Sequence, residues 1–144
     1  MSVEQNKVLC RRLHEEIFAR GDLDVADQIF ARDAVFHGPD WAPGATGPEV
    51  IKEDARTYRG AFHIDSLTRD QEVAEGDLVC HYWTFTGTHI GPLGGIQPTG
   101  RQVVASGMDL FRCRDGRIVE CWQQWDQLGM LQQLGVVPAA AATS

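Results

Sequence analysis

The sequence has no apolar run long enough to span a membrane. None of its hydrophobic stretches approaches the ~18 consecutive apolar residues of a spanning helix. The first residues, MSVEQNKVLCRRL, carry charge where a signal peptide would be apolar. We therefore expect a cytoplasmic protein.

The sequence also has little positive charge. Its 13 lysines and arginines face 20 acidic residues, which gives a net charge of −7. The acidic residues are spread along the chain, whereas a nucleic-acid-binding surface would need a concentrated basic patch. The charge therefore argues against a nucleic-acid partner, and equally against an anionic membrane surface.

Motifs for metals, nucleotides and covalent nucleophiles are missing as well. The sequence contains no H-x-H or H-x-x-x-H pair, no G-x-G-x-x-G or G-K-[ST] motif, and no G-x-S-x-G nucleophile elbow. Its four cysteines form no C-x-x-C spacing, so we expect free thiols. These absences predict a protein with no metal and no other cofactor.

What the sequence does contain is the pattern of a single α+β domain over its 144 residues. Helical spacing of apolar residues predicts helices at 4–19, 22–31 and 48–62. Strands are predicted at 34–37, 64–75, 78–88, 103–114 and 118–125. A short last helix follows Asp126, and the ordered core of about 8–135 ends in a frayed tail at 136–144. Helices first and strands later, joined by short turns, predict an antiparallel sheet.

The turn between the last two predicted strands fixes how they pair. Asp115-Gly116 suits a three-residue hairpin loop with a bulge, in which Gly116 takes the left-handed conformation. That register sets Asp109 opposite Cys121 and Gly107 opposite Gln123. One sheet face then carries Ala105, Gly107, Asp109, Phe111, Val119, Cys121, Gln123 and Trp125. The other carries Ser106, Met108, Leu110, Arg112, Ile118, Glu120, Trp122 and Gln124, and alternation alone does not say which face lines the interior.

Three stretches of the chain carry a family resemblance. They are ARGDLDVADQIFARDAVFHGP, GDLVCHYWTFTGTHIGPLGGIQPTGR and FRCRDGRIVECWQQWDQLGMLQQLG. In these motifs the chain resembles the SnoaL-like polyketide cyclases, a branch of the nuclear-transport-factor-2-like superfamily, from about Val8 to Gly135. The resemblance implies a cone-shaped α+β barrel of three helices and a curved sheet, with an apolar cavity and no cofactor. It also implies that the face of Asp109 and Gln123 points into the cavity.

The chain departs from the cyclases it resembles at three positions. Those cyclases carry an acidic residue, the main acid/base group, where this chain has Gln123, which cannot exchange protons. They carry a Gln/His pair where this chain has Gly107 and Asp109. The chain therefore keeps one inward acid, Asp109, on the strand next to that of Gln123. Gly107 is expected to leave open space beside this acid.

The candidate catalytic residues follow from these faces. Asp109 has apolar neighbours, so burial would raise its pKa and suit it to proton transfer, although it can also be a structural aspartate. His81 lies on a predicted inward face, where it is either a base or a core histidine. His37 stands at the end of a strand, where the family's cavities open. Gln123 completes the set as a hydrogen-bond donor to an enolate.

The candidate substrate-binding residues are mainly aromatic. They are Trp41, Tyr58, Trp83, Phe111 and Trp125, whose rings can stack on a flat ligand or simply fill the core. His89, in the motif GTHIG, joins them at the cavity mouth or locks its loop. Asp126 is interpreted as a helix cap, whereas His14 and His63 stand in no pattern that assigns them a role.

The resemblance leads to three functional hypotheses. The first is an acid/base enzyme that closes a ring in an apolar, polyketide-like aromatic or polycyclic intermediate. The second is hydroxylation, isomerisation or epoxide opening of a similar substrate, and the third is a non-catalytic protein that binds such a molecule. An apolar outer face with Met108, Leu110, Ile118 and Trp122 also predicts a homodimer.

Overall fold

A computed structural model describes residues 1–138 of the chain, so most of the predicted tail lies outside the described residues. The helices are α1 (Val3–Arg12), which continues as a π-helix over Leu13–Phe18, then α2 (Val25–Ile29), α3 (Glu49–Ala61) and α4 (Gln127–Leu134). The strands are β1 (Phe30–His37), β2 (Phe62–Glu75), β3 (Leu78–His89), β4 (Gln102–Arg114) and β5 (Arg117–Trp125). No helix within residues 1–138 has the length and apolarity to cross a bilayer.

The first helix begins at a capping box and changes its winding halfway. The Ser2 hydroxyl accepts the backbone N–H of Gln5, whose side chain accepts the N–H of Ser2. From Leu13 the winding is π-helical, so the carbonyl of His14 accepts the N–H of Ala19 at 2.9 Å. The prediction of one helix over 4–19 was correct in extent, but the π-helical part was not foreseen.

The five strands form one curved, open sheet in the order β1-β5-β4-β3-β2. The predicted α+β class is confirmed, and β2 to β5 are antiparallel as expected. Two details differ from the predictions. The sheet has two free edges and is not a closed barrel, and β1 pairs with β5 in parallel.

The second helix is much shorter than predicted. It ends at Ile29, and Phe30 already begins β1, where it pairs with Ile118 of β5. Phe30 is 1% exposed in this extended conformation. Burial and strand pairing therefore override the helical spacing of apolar residues that had extended the helix to Ala31.

The hairpin between β4 and β5 differs from the prediction in its register. Its loop contains two residues, Asp115 and Gly116, at φ values of 51° and 78°, as in a type I′ turn. A bulge follows, because Cys113 pairs with Ile118 whereas Arg112 pairs with Glu120. Two predictions are therefore wrong. Asp109 pairs with Gln123 and not with Cys121, and Ile118 is buried on the inner face and not on the outer one.

The core lies between the helices and the inner face of the sheet. Its first apolar cluster joins α1, α2 and α3 to the inner residues of β3, β4 and β5, and its second surrounds Phe62 and Met130. The four cysteines are free, and three of them are buried in this core or beside it. The helices thus cover one face of the sheet and leave the other exposed.

Candidate active site

A cavity of about 70 Å³ opens between the helices and the concave face of the sheet. Most of its wall is apolar or aromatic, formed by Phe18, Tyr58, Ile64, Leu67, Trp83, Phe85, Trp125 and Met130. Four polar side chains complete the wall: His14, Asp40, Asp54 and Gln123. No lysine or arginine from the described part of the chain lines it, so the space suits an apolar, uncharged molecule.

Asp109 lies behind the cavity wall and is held by two side chains that face the cavity. It is 0% exposed. Its Oδ1 accepts Nε2 of Gln123 at 2.9 Å, and its Oδ2 lies 2.8 Å from Nε2 of His14. This second contact is short enough for an ion pair, although the His14 N–H is not aligned on the oxygen. A buried carboxylate thus orients an imidazole that reaches the cavity.

Two buried polar atoms of side chains that line the cavity have no hydrogen-bond partner among residues 1–138. They are Nδ1 of His14 and Nε1 of Trp83, both buried, and the two rings lie 5.9 Å apart between centroids. Buried polar atoms are nearly always satisfied in folded proteins. The orphaned pair beside the cavity therefore presents one N–H donor, from Trp83, and one ring nitrogen, from His14, to a bound ligand.

Asp40 organises the aromatic part of the wall. It accepts the Tyr58 hydroxyl at 3.0 Å, Nε1 of Trp125 at 2.9 Å and Nε2 of Gln127 at 2.6 Å. Burial and the neighbouring Asp40 carboxylate raise the pKa of Tyr58, which therefore stays protonated. Tyr58 and Trp125 meet edge to face, so Asp40 fixes two of the predicted aromatic residues in the wall.

Asp54 of α3 also lines the cavity, and it has no hydrogen-bond or ion-pair partner within the described residues. Burial is the largest cause that raises its pKa to about 8, and the carboxylates of Asp40 and Asp109 add to it. The cavity therefore contains a carboxyl group that is protonated at neutral pH.

His81 lies deeper than predicted and does not line the cavity. It is 0% exposed, and its Nε2 is 2.8 Å from Oε2 of Glu72, which also accepts Nε of Arg11 at 3.0 Å. Burial lowers the pKa of His81, and the Glu72 carboxylate only partly opposes this. Its ring lies 6.0 Å from that of His14, so His81 supports the imidazole that reaches the cavity.

His37 and His89 are not at the cavity, which corrects the expectation for both. His37 is exposed, with Nε2 2.7 Å from Oε2 of Glu120 and its ring stacked on Trp122. Because Trp122 and Glu120 belong to the sheet face opposite Asp109, His37 lies on the outer side of the sheet. His89 is fully buried, and its Nδ1 accepts the N–H of Thr99 at 3.0 Å. That contact locks the loop before β4.

The predicted aromatic residues divide into wall and core. Trp83, Tyr58 and Trp125 line the cavity. Trp41 packs edge-on against Phe36 of β1, and Phe111 is 0% exposed within the core, so neither lines the cavity. Packing against other apolar side chains therefore explains these two aromatic residues, and neither needs a ligand as a partner.

Gly107 does not leave open space, contrary to expectation. An added Cβ would collide with Cβ of Trp125 and lie 2.7 Å from Cζ2 of Trp83. Gly107→Ala is therefore expected to destabilise the fold by about 1–3 kcal/mol through overpacking, as measured by urea denaturation. Gly60→Ala in α3 is the control, because its Cβ would meet nothing within 4 Å and alanine favours a helix. Equal stability of the two variants would contradict the close packing of Gly107.

Sequence reasoning missed three polar cavity residues, His14, Asp40 and Asp54, although a signal was available for His14 and Asp54. His14 belongs to the spacing i, i+3, i+4, i+7 with the inward residues Cys10, Leu13 and Ile17. Asp54 repeats that spacing with Ile51, Ala55 and Tyr58. A titratable side chain within an apolar helical stripe was the sign in both helices.

Comparison with known proteins supplies the family. The model of the SnoaL-like polyketide cyclase family matches residues 8–134. Nogalonic acid methyl ester cyclase of Streptomyces nogalater is 31% identical over 91 residues, 62% of this chain and 68% of that protein. Aklanonic acid methyl ester cyclase DnrD of Streptomyces peucetius is 30% identical over 132 residues, 88% of each chain.

Two solved structures share the fold over nearly the whole chain. TsrD of Streptomyces laurentii has a TM-score of 0.83 at 26% identity, covering 95% of this chain and 99% of its own. AclR of Streptomyces galilaeus, named as a candidate hydroxylase, has a TM-score of 0.83 at 27% identity, covering 98% and 87%. On the family match and these likenesses, the chain belongs to the SnoaL-like polyketide cyclase family.

Proposed function

We propose that this protein closes a ring in an apolar, polyketide-like aromatic or polycyclic intermediate by acid/base chemistry, without a cofactor. The observation that carries the proposal is the imidazole of His14, which reaches an apolar cavity and is held from behind by the buried carboxylate of Asp109. A base oriented by a carboxylate can take a proton from a carbon atom activated by adjacent carbonyl groups.

The neighbouring donors suit the charge that develops in such a step. Proton removal by His14 creates an imidazolium, which the negative charge of Asp109 stabilises, and an enolate in the ligand. Nε1 of Trp83 has no protein partner among residues 1–138 and is free to donate to the enolate oxygen. Gln123 uses one amide hydrogen on Asp109 and keeps the other. The enolate carbon then attacks a ketone carbon, which closes the ring.

The charge of the wall favours an uncharged substrate. Asp40 lines the cavity, Asp109 lies directly behind its wall in contact with His14, and no lysine or arginine of residues 1–138 lines it. A free carboxylate on the ligand would be repelled, whereas an ester would not. The two cyclases to which the chain is similar are named for methyl esters, which agrees with this chemistry.

Product mass separates ring closure from hydroxylation and from simple binding, and proton NMR of the product separates ring closure from isomerisation, which also leaves the mass unchanged. We would incubate the protein with the methyl esters of nogalonic and aklanonic acid and follow each by liquid chromatography and mass spectrometry. Ring closure by aldol addition gives a product of unchanged mass and a new retention time. A product heavier by one oxygen atom would establish hydroxylation, and an ester that binds but stays unchanged would establish a binding protein.

Hydroxylation is the second candidate, and one comparison favours it. AclR, the candidate hydroxylase, matches this chain over 98% of its length. The resemblance also implies an acid in the cyclases at the position where this chain has Gln123. Oxygen insertion would need molecular oxygen and a two-electron reductant as co-reactants. The assay is therefore run with a reductant, in the presence and in the absence of oxygen: without oxygen, ring closure continues and hydroxylation stops.

We also propose that the protein is a homodimer through the outer face of the sheet. Val104, Met108 and Tyr82 expose 52%, 49% and 39% of their surface there. Grouped apolar residues on a sheet face are typical of an interface. Ile118, which was expected on this face, is buried and takes no part.

Met108→Lys is therefore expected to convert the dimer into a folded monomer, because it puts a charge at the centre of this face. Sedimentation velocity at micromolar concentration measures the change. Leu128→Lys, at an exposed site on α4, is the control and should leave the dimer intact. A wild-type protein that sediments as a monomer would disprove the interface.

A further inference from the structure

We infer that Asp54 is the general acid of the site, which gives its proton to the oxygen atom of the ketone as the new ring closes. This inference rests on the proposed function above and adds a second proton-transferring side chain to it. His14 is then the general base, which takes a proton from carbon, and Asp54 is the general acid, which supplies a proton to oxygen.

The position of Asp54 is set by the apolar stripe of α3. Ile51 and Ala55 are buried in the core, and Tyr58 lines the cavity. Asp54 has the helical spacing of these inward residues, so its carboxyl group also reaches the cavity. It is half-buried, and a ligand in the cavity would come into contact with it.

The three carboxyl groups around the cavity differ in their partners. Asp40 accepts three hydrogen bonds, from Tyr58, Trp125 and Gln127. Asp109 is held by Gln123 and His14. Both therefore have polar partners, whereas Asp54 has no donor within residues 1–138. If one of the three retains a proton, it is Asp54.

The surrounding charges favour the same assignment. The titratable groups around Asp54 are Asp40 on the loop after β1, Asp109 on β4, His14, Tyr58 and Cys121, and no lysine or arginine of residues 1–138 lines the cavity. Burial and the two carboxylates hold the pKa of Asp54 at about 8. At neutral pH Asp54 can therefore donate a proton while His14 accepts one.

The resulting step balances without any further reagent. His14 takes the proton from the activated carbon, and the electron pair left on that carbon forms the new bond to the ketone carbon. The π electrons of that carbonyl move to its oxygen atom, which takes the proton of Asp54 and becomes a hydroxyl group. The site is left with a protonated His14 and an ionised Asp54, and proton exchange with water restores both.

The test separates proton removal from ring closure. Both methyl esters named above are incubated in deuterium oxide with wild-type protein, with Asp54→Asn, and with Glu53→Gln, an exposed neighbour on α3, as the matched control. Deuterium in the unreacted ester reports the step assigned to His14, and the cyclised product reports the step assigned to Asp54. Thermal melting of each variant records its folding.

Asp54→Asn is expected to keep deuterium exchange near the wild-type rate and to slow ring closure ~10²–10⁴-fold, the range of a lost general acid. Ring closure at the wild-type rate in this variant would overturn the inference, as would loss of exchange by the same factor. Failure of the proposed function itself looks different, because the wild-type protein would then show no exchange.

A second measurement needs no substrate. A carboxyl whose pKa is raised from 3.8 to about 8 makes the folded protein less stable as pH rises across that interval, because the folded state holds the proton more tightly than the unfolded chain. The difference in denaturation midpoint between Asp54→Asn and wild type should therefore shift in favour of the variant between about pH 5 and pH 8. An equal difference at both pH values would overturn the assignment of a protonated Asp54.

Discussion

Replacement of His14 by glutamine is expected to slow ring closure ~10²–10⁴-fold, the usual loss when a general base is removed. Glutamine fills a similar volume and keeps a hydrogen-bond donor near Asp109, but it cannot exchange a proton. The loss should appear in kcat rather than in KM, because the apolar wall that binds the ligand is unchanged.

His63→Gln is the matched control for this variant. The His63 side chain is 68% exposed and contacts Asp65 on the surface, so its replacement should leave turnover unchanged. Initial rates and thermal melting of both variants give the comparison. A His14→Gln variant with wild-type turnover would remove His14 from the mechanism.

Asp109→Asn is expected to have the second large effect, again ~10²–10⁴-fold in turnover. The amide removes the negative charge that stabilises the His14 imidazolium. Its NH₂ group can also donate to Nε2 of His14, which would then have to be the unprotonated nitrogen of the ring. Because the amide oxygen can still accept Nε2 of Gln123, we expect the melting temperature to change little.

Asp126→Asn is the control for Asp109→Asn, because it makes the same chemical change at a structural site. Oδ1 of Asp126 accepts the N–H of Gly129 and caps α4, and asparagine caps helices equally well. Activity should survive there. If Asp109→Asn retains full turnover, or if it unfolds the protein, then Asp109 has a structural role and the site assignment is wrong.

The sequence allowed the architecture to be predicted because its periodicities are clear. Strands β2 to β5 were located to within two residues at each end, and Asp109 was assigned to the same sheet face as Gln123. The bulge beside Ile118 was not predictable in the same way. A bulge depends on how two strands twist together, so it leaves little trace in the spacing of apolar residues.

The site was harder to predict than the fold, because its members come from distant parts of the chain. His14 acquires its role from contact with Asp109 on β4, a pairing that the helical spacing of His14 does not reveal. Asp54 is distinguished by having no hydrogen-bond or ion-pair partner within residues 1–138, which the sequence does not reveal. His37 and His89 show the opposite case, since their motifs suggested a cavity mouth and the structure gives both of them other partners.

The most direct test of the account is hydrogen exchange at carbon. The methyl esters of nogalonic and aklanonic acid are held in deuterium oxide with wild-type protein or with His14→Gln, and the unreacted ester is followed by mass spectrometry and proton NMR. The account predicts that the wild type introduces deuterium at the carbon between carbonyl groups, and that His14→Gln does so ~10²–10⁴-fold more slowly. An ester that binds to the wild type without exchange, or that exchanges equally fast with His14→Gln, would contradict it.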